Sequence, residues 1–456
     1  MTRFNLRWAC WLIGLLLAGC DHDKAARRPD ADELLVGVLD DPVFYQPAPP
    51  ESEPSGFEYD LLAAFAESQQ KKLHIVPAPN PGALLDLLTA GEVDFIAAAP
   101  VRPVDNVRYT TPLHEARPLI VRHAEALPVD DPEALAGHTV EVLPGTIQEA
   151  DLAALSVSLP IIIDRPRVTN GIDLLARVSE YHSELAATDS THFDVAVNYF
   201  PDLVVAQELP GKVAYAWAFR VENDALRAAA EVFIADFRHD GRLAKLDDRY
   251  FGHLNRINPI GATQFIEDMR ALLPRYRKAF QQAQAITGID WRLLAALAYQ
   301  ESKWDPLATS YTGVRGIMML TEETADRMAV GNRLDAAESI RAGAKYLAEL
   351  MNRLPAGVGE PDRLWLALAA YNLGYGHLNG ARQFAIGLKR DPTSWYEMKK
   401  VLPLLARPEY YERLKSGRAR GGEAVIMVEN IRTYFDILAR FEPADRSPLQ
   451  TGLAMQ

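Results

Sequence analysis

The first half of the chain alternates short apolar runs with amphipathic stretches. Short apolar runs bounded by polar or glycine positions are typical of buried strands, and apolar residues that recur every three or four positions indicate helices. This pattern predicts strand segments at 34–39, 73–76, 94–99, 109–112, 139–143 and 184–189, and helices at 56–68, 84–90, 172–180, 224–240 and 243–250. Such alternation favours a parallel or mixed sheet flanked by helices. Because the pattern occurs twice, we predict two α/β lobes with a cleft between them.

The second half of the chain is almost wholly helical. Segment 251–261, which contains glycine and proline, interrupts the earlier alternation and is the predicted domain junction. Gly288 is placed to close one helix, Asp290 to cap the next, and Pro306 follows the end of that helix. The predicted helices are 263–273, 274–286, 290–302, 321–328, 336–354, 362–373 and 424–439. We therefore predict an α/β domain at 33–255 and an all-α domain at 256–456.

The first residues have the composition of an export signal. Arg3 and Arg7 precede the apolar stretch 8–17, and a small-residue cleavage site ends at Cys20. This pattern predicts a bacterial lipoprotein signal at 1–19 and a flexible tether at 20–32; the alternative is an ordinary signal peptide with a chance cysteine. Cys10 and Cys20 are the two cysteines of the chain, so Cys20 would be the sole thiol of the mature protein and has lipidation as its simplest use.

Composition excludes several classes of function. The formal net charge of -13 argues against a nucleic-acid partner, which would require a basic face. The ten histidines are scattered and have no cysteine partners at metal-binding spacing, so neither a metal site nor a cofactor is predicted.

Glu301 is the candidate catalytic residue. It follows Ala298, Leu297 and Leu294 by three, four and seven positions, which places it on the apolar face of its helix. Burial and the negative end of the helix dipole both disfavour an ionised carboxylate there. We therefore expect Glu301 to hold a proton at neutral pH, as a general acid does.

The residues around Glu301 resemble a known family. The run 291–324, in which Glu301-Ser302-Lys303-Trp304 is followed by a loop with glycines, is similar to the catalytic core of lytic murein transglycosylases of the goose-lysozyme-like type. Segment 369–374, with Tyr371 and Asn372, matches the family's second signature. The order of export signal, solute-binding-like domain and helical domain also resembles the membrane-bound members of this family. The resemblance implies a lysozyme-like fold for the helical domain.

The resemblance also implies a mechanism and a set of binding residues. Glu301 would donate a proton to the glycosidic oxygen of peptidoglycan between N-acetylmuramic acid and N-acetylglucosamine. It would then take a proton from the C6 hydroxyl as a 1,6-anhydro ring closes, without water or a second carboxylate. Asp305 is interpreted as a turn former. The implied substrate-binding residues are Ser310, Gly316, Met318, Tyr371 and Asn372. Trp304 and Trp395 are candidates either for sugar stacking or for core packing.

One position departs from the family pattern. The third signature usually has a tyrosine near the catalytic carboxyl, where this chain has Met427. Either Glu301 lies in a drier and more basic pocket, or Tyr299 or Tyr371 supplies the missing contact.

The first domain resembles the periplasmic amino-acid-binding proteins, although the arginine that clamps a ligand carboxylate in that family is replaced by Asp105-Asn106. Arg102 or Arg108 are the possible substitutes. Asp189 matches the acidic residue that holds the ligand's amino group, and its alternative role is to cap a turn. The resemblance implies a small cell-wall peptide, or muropeptide, as effector.

We therefore expect a peptidoglycan lytic transglycosylase on the periplasmic face of the outer membrane, anchored by lipid. Asp21, directly after Cys20, would instead indicate inner-membrane retention. The alternatives are a lysozyme-type hydrolase and a non-catalytic wall-binding sensor.

Overall fold

The computed structural model describes residues 32–47, 54–129 and 131–445. The predicted signal at 1–19, Cys20 and nearly all of the predicted tether lie outside the described residues. An α/β domain with two lobes comes first and is followed by an all-helical domain, so the predicted fold class is confirmed. Within the described part of the chain, no helix is long and apolar enough to cross a membrane.

The α/β domain contains eleven strands and seven helices among the described residues. The strands are β1 Glu33–Leu39, β2 Lys72–Ala78, β3 Phe95–Pro100, β4 Val107–Tyr109, β5 His114–Ala116, β6 Pro118–His123, β7 Thr139–Glu141, β8 Ile162–Asp164, β9 Leu185–Asp189, β10 Leu203–Glu208 and β11 Val213–Arg220. The helices are α1 Phe57–Ser68, α2 Pro81–Ala90, α3 Ile147–Leu155, α4 Gly171–Ser179, α5 Ser190–Tyr199, α6 Asp224–His239 and α7 Arg242–Phe251.

Each lobe is built on its own mixed sheet. The first lobe has the strand order β2-β1-β3-β11-β4, with β5 also paired to β11, and β1, β2 and β3 run parallel. The second lobe has the order β10-β6-β9-β7-β8. The chain enters the second lobe between β5 and β6 and returns between β10 and β11. Two crossing segments therefore join the lobes, and the predicted cleft lies between the two lobes.

The second domain consists of helices around one large apolar core. They are α8 Pro259–Ala271, α9 Arg277–Thr287, α10 Trp291–Ser302, α11 Glu322–Arg327, α12 Ala336–Arg353, α13 Asp362–Leu373, α14 Tyr375–Gly387, α15 Trp395–Val401, α16 Pro408–Tyr411 and α17 Gly421–Phe441. Helix α10 lies at the centre, and its residues from Leu293 to Tyr299 are all buried. It packs against α9, α12 and α17.

The ends of α10 are set by the residues that the sequence indicates. Gly288 closes α9 in the left-handed conformation, and the Asp290 side chain accepts a hydrogen bond from the Arg292 amide at the start of α10. Helix α14 is not predicted by the pattern, because Gly376, Gly380 and Gly387 weaken its helical signal. Packing against Leu414 compensates for this weakness, because the absence of a Cβ at Gly380 lets the Leu414 side chain approach α14 closely. A Cβ at Gly380 would lie 2.4 Å from a Leu414 methyl carbon.

The two domains are joined along α7 and α17. The Arg432 guanidinium donates hydrogen bonds to the backbone carbonyls of Asp248 (3.1 Å) and Arg249 (2.6 Å), and it pairs with the buried Glu429 carboxylate. The Thr433 hydroxyl donates to a backbone carbonyl of the segment that follows α7. One helix thus contacts both the α/β domain and α10.

Candidate active site

Glu301 lies in the last turn of α10, with its side chain partly shielded from water. Ala298, Leu297 and Leu294 on the same face are fully buried. The Glu301 carboxyl forms no hydrogen bond or ion pair with another described residue. Burial raises the pKa of its carboxyl from 4.5 to about 8, with no contribution from a neighbouring charge. The carboxyl is therefore protonated at neutral pH, as the sequence predicts.

The turn after Glu301 folds the following loop back over α10. The Ser302 hydroxyl lies 2.8 Å from the Ile317 carbonyl of that loop. Lys303 and Trp304 both adopt left-handed backbone conformations, with φ of 56° and 59°. Ser302 was named above only as part of the motif, without a role of its own; a serine in the last turn of a helix, where its hydroxyl reaches backbone carbonyls, is the signal that indicates one.

The loop at 303–320 is held by its own polar groups. The Asp305 carboxylate accepts a hydrogen bond from the Leu307 amide, which is the predicted turn-forming role. The Ser310 hydroxyl accepts from the amides of Thr312 and Val314 and so orders the tip of the loop.

Gly316 is required for packing within the protein. Its φ is +83°, and a Cβ at this position would lie 1.9 Å from the Arg333 carbonyl oxygen. Substrate binding by Gly316 stays a prediction. The structure shows that this glycine allows a close approach between two segments of the chain.

Met318 and Tyr371 meet beside Glu301. The Met318 side chain is fully buried against Gly343, so only its backbone carbonyl faces Tyr371, whose hydroxyl donates to it at 2.8 Å. Burial, followed by the charge of Glu301, raises the pKa of the Tyr371 hydroxyl well above its usual value. Asn372, the next residue on α13, is exposed. The structure therefore corrects the prediction for Met318, since its side chain is part of the core.

Neither candidate tyrosine donates a hydrogen bond to Glu301. The Tyr299 hydroxyl donates to Asp268 at 2.8 Å, and the Tyr371 proton is directed to Met318. Met427, at the family's tyrosine position, is buried on α17. The drier and more basic pocket is thus the alternative that the geometry supports.

The two tryptophans considered for sugar stacking are core residues. Trp304 is 1% exposed and donates its indole N–H to the Ala295 carbonyl at 2.8 Å. Trp395 is 2% exposed and donates to the Glu429 carboxylate at 2.7 Å. Both therefore serve packing.

In the first domain, Asp189 caps a helix. Its Oδ1 accepts hydrogen bonds from the amides of Thr191 (2.9 Å) and His192 (3.1 Å) at the start of α5. Its Oδ2 accepts from the Tyr215 hydroxyl (2.6 Å) and lies 2.8 Å from His192 Nδ1. Asp189 thus caps the start of α5, and a role in holding a ligand's amino group stays a prediction.

Neither of the arginines considered as substitutes for the missing clamp lines the small space of about 50 Å³ between the lobes. The charge of Arg102 nevertheless reaches across to Glu149 of the second lobe and contributes to lowering the pKa of that carboxyl. Among the described residues, no cluster of His, Cys, Asp and Glu could hold a metal ion.

Comparisons with known proteins cover both domains. Residues 34–253 match the family of bacterial extracellular solute-binding proteins, family 3, and residues 278–389 match the transglycosylase SLT domain. An ancestral arginine-binding protein bound to arginine is similar in structure to the first domain, with a TM-score of 0.44 and 20% identity over 48% of this chain and 98% of that chain.

Curated relatives match nearly the whole chain. The membrane-bound lytic murein transglycosylase F of Nitrosospira multiformis is 38% identical over 97% of this chain and 93% of its own length. The protein of that name from Thiobacillus denitrificans is 40% identical over 96% of this chain and 94% of its own length. The chain belongs to the membrane-bound lytic murein transglycosylase F family and is a peptidoglycan lytic transglycosylase.

Proposed function

We propose that Glu301 is the single acid and base of the reaction and that the product carries a 1,6-anhydro ring. The protonated carboxyl donates its proton to the oxygen that links C1 of N-acetylmuramic acid to C4 of N-acetylglucosamine, and this C1–O bond breaks. The C6 hydroxyl of the same muramic residue then bonds to C1 and returns its proton to Glu301. Atoms and charge balance without water.

The position of the Glu301 carboxyl, shielded at the end of α10 and without a charged partner among the described residues, is the observation that carries this proposal. Burial alone raises the pKa of Glu301 to about 8, and no charged neighbour contributes to the shift. Hydrolysis by the usual mechanism needs a second carboxylate near the bond, whereas internal attack by a tethered hydroxyl gains from a high effective concentration.

Mass spectrometry of digested sacculi tests the chemistry. We expect anhydro ends in the released fragments and no reducing muramic ends. Reducing ends would identify a lysozyme-type hydrolase, and equal release by wild type and Glu301→Gln would identify a non-catalytic wall-binding protein.

We further propose that substrate contacts come from the rim around Glu301. Asn372 is exposed at the end of α13, and Ser310 orders the tip of the adjacent loop. Gly316 and the Met318 carbonyl act indirectly, by fixing that loop and the Tyr371 ring. Asn372→Ala is expected to raise KM more than it lowers kcat, because Asn372 would bind the sugar strand and not the reacting atoms. An unchanged KM would contradict the assignment.

We propose that the first domain regulates cleavage, and a continuous set of packed helices supports this role. Helix α5 begins at the cleft between the lobes and packs against α17, and α17 packs against α10, which carries Glu301. Arg440 on α17 also pairs with Asp173 on α4 at 3.0 Å. A muropeptide that changes the separation of the lobes would therefore displace α17. Calorimetry and cleavage assays with added muropeptide test this role, and binding without a change in rate would contradict it.

We also propose that Cys20 carries the lipid anchor at the periplasmic face of the outer membrane. Labelling of wild type and Cys20→Ala with a fatty-acid analogue, followed by membrane fractionation, tests both points. Label in the inner-membrane fraction would indicate that Asp21 retains the protein in the inner membrane.

A further inference from the structure

The segment between α16 and α17, residues 413–420, is a basic segment on the surface of an acidic protein. It contains four cations and no acidic residue, in a chain whose formal net charge is -13. All four side chains are exposed; they are those of Arg413, Lys415, Arg418 and Arg420. The acidic residues that flank the segment are Glu412 and Glu423, so the region as a whole remains positive.

Three of these cations have no acidic partner. Arg413, Lys415 and Arg418 form no ion pair with another residue of the described ranges. Arg420 lies 3.5 Å from the Glu423 carboxylate, and the two side chains are 67% and 62% exposed. An exposed pair of this kind contributes little free energy. The basic segment is therefore available to bind an external anion.

The backbone of the basic segment is held in place by contacts with α14. The Leu414 side chain packs on α14 where Gly380 has no Cβ, and Ala419 is buried. His377 Nε2 lies 2.8 Å from the Ser416 carbonyl oxygen. Apolar side chains thus point into the protein, whereas the cationic ones point to solvent. A surface that is fixed in this way loses less conformational entropy when it binds a ligand.

The basic segment lies beside the candidate active site. The other ring nitrogen of His377, Nδ1, lies 2.9 Å from the carbonyl oxygen of Leu373, the residue after Asn372. Arg420 is close enough to the Tyr311 hydroxyl, near the tip of the loop after the catalytic residue, to interact with it. The basic segment therefore contacts both parts of the rim that is proposed above to bind the sugar strand.

A carboxylate-bearing peptide is the occupant that fits this surface. Muramic residues of peptidoglycan carry short peptides with free carboxylates, and these peptides project from the sugar strand. Lys and Arg side chains bind carboxylates through charge-assisted hydrogen bonds. A membrane surface fits less well, because the basic segment has no exposed aromatic or aliphatic side chain to insert.

We propose that the basic segment binds the carboxylates of the peptides attached to the glycan strand and makes the enzyme prefer anionic, peptide-bearing strands. These contacts add to those of the rim and hold the strand across Glu301. The inference names the substrate class of the site proposed above, so it rests on Glu301 being the place of cleavage. It also accounts for the approach of a protein with a net charge of -13 to an anionic polymer.

Sacculi whose carboxylates are neutralised test the proposal. Treatment with a carbodiimide and ammonium ions converts the peptide carboxylates to amides and leaves the sugars and the peptide bonds in place. The full mature wild type is expected to cleave native sacculi at least about fivefold faster than amidated sacculi. In Lys415→Gln combined with Arg418→Gln, this ratio should fall by about threefold or more, because two exposed cations are lost. Equal cleavage of both substrates by wild type, or an unchanged ratio in the variant, would overturn the proposal.

Arg275→Gln combined with Lys278→Gln is the matched control. It also removes two exposed cations from the helical domain. They lie on either side of Arg277, which pairs with Glu442 at the far end of α17. Because α17 has 21 residues, this end is about 30 Å from the basic segment. The control should keep the wild-type ratio, and a fall equal to that of the test variant would overturn the proposal, since the effect would not be local.

Binding measured without cleavage separates this proposal from the assignment of Glu301. Glu301→Gln should sediment more strongly with native than with amidated sacculi, and the preference should decrease when Lys415→Gln and Arg418→Gln are added. A preference that persists would overturn the proposal even if Glu301 is the acid. Sedimentation of the Cys20→Ala chain with phosphatidylglycerol vesicles tests the membrane alternative. Vesicle binding that depends on Lys415 and Arg418, together with an unchanged sacculus ratio, would replace the peptide by a lipid surface.

Discussion

Replacement of Glu301 by Gln is expected to remove activity and, at the same time, to stabilise the protein at alkaline pH. The folded protein holds the pKa of Glu301 at about 8, compared with 4.5 for an ordinary glutamate. A carboxyl whose pKa is raised by folding contributes its full stability at pH values below its pKa in the unfolded state. This contribution is lost as pH rises through the pKa of the folded state. Glutamine stays neutral over the whole pH range, so the variant loses no stability in this way.

The magnitude follows from the size of the shift. A rise from 4.5 to about 8 corresponds to at most about 5 kcal/mol between acidic and alkaline pH. Because the side chain is only partly shielded and water relaxes around it, we expect a smaller effect of about 1 to 3 kcal/mol. The advantage of Glu301→Gln should be absent near pH 4 and reach its maximum above about pH 8.

The assay compares urea unfolding of wild type and Glu301→Gln across this pH range. Glu267→Gln, which changes an exposed carboxylate on α8, is the matched control and should show no such rise. Cleavage of sacculi by Glu301→Gln should fall about a thousandfold, as expected for loss of a general acid. A stability difference independent of pH would refute the reasoning, since it would mean that Glu301 is already ionised at neutral pH.

Four further predictions follow from the same geometry. The cleavage rate of wild type should fall above about pH 8 as Glu301 loses its proton, and a rate that stays constant to about pH 10 would contradict the assigned acid. Gly316→Ala should lower the unfolding free energy by about 1 to 3 kcal/mol, because its methyl would meet the carbonyl of a neighbouring segment; a thermal melt equal to wild type would exclude this contact. Met427→Tyr should retain cleavage, and a dead variant that still folds would count against the alignment of this position. Arg432→Ala should destabilise the protein by about 3 kcal/mol, because it leaves the buried Glu429 carboxylate without its guanidinium partner; loss below about 1 kcal/mol in urea unfolding would contradict this.

Much of the architecture was evident from local patterns in the sequence. Strand and helix alternation gave the two-lobed α/β domain, since the spacing of apolar positions directly reflects which face of an element is buried. The caps at Gly288 and Asp290 fixed the ends of α9 and α10, because each depends on the chemistry of one residue. The position of Glu301 on an apolar face likewise indicated its protonated state.

Contacts between distant segments were decided only by the tertiary structure. Gly316 is required by a carbonyl from another loop, and the Met318 side chain faces Gly343, which no local pattern reveals. The bridge from Asp41 through His192 joins residues that are 151 positions apart. Local spacing determines which face of an element is apolar, but only the packing of whole elements determines which polar groups meet inside. That is why the sequence by itself pointed to the Glu301 carboxyl on an apolar face, whereas only the structure revealed the contact between Asp41 and His192 across the two lobes.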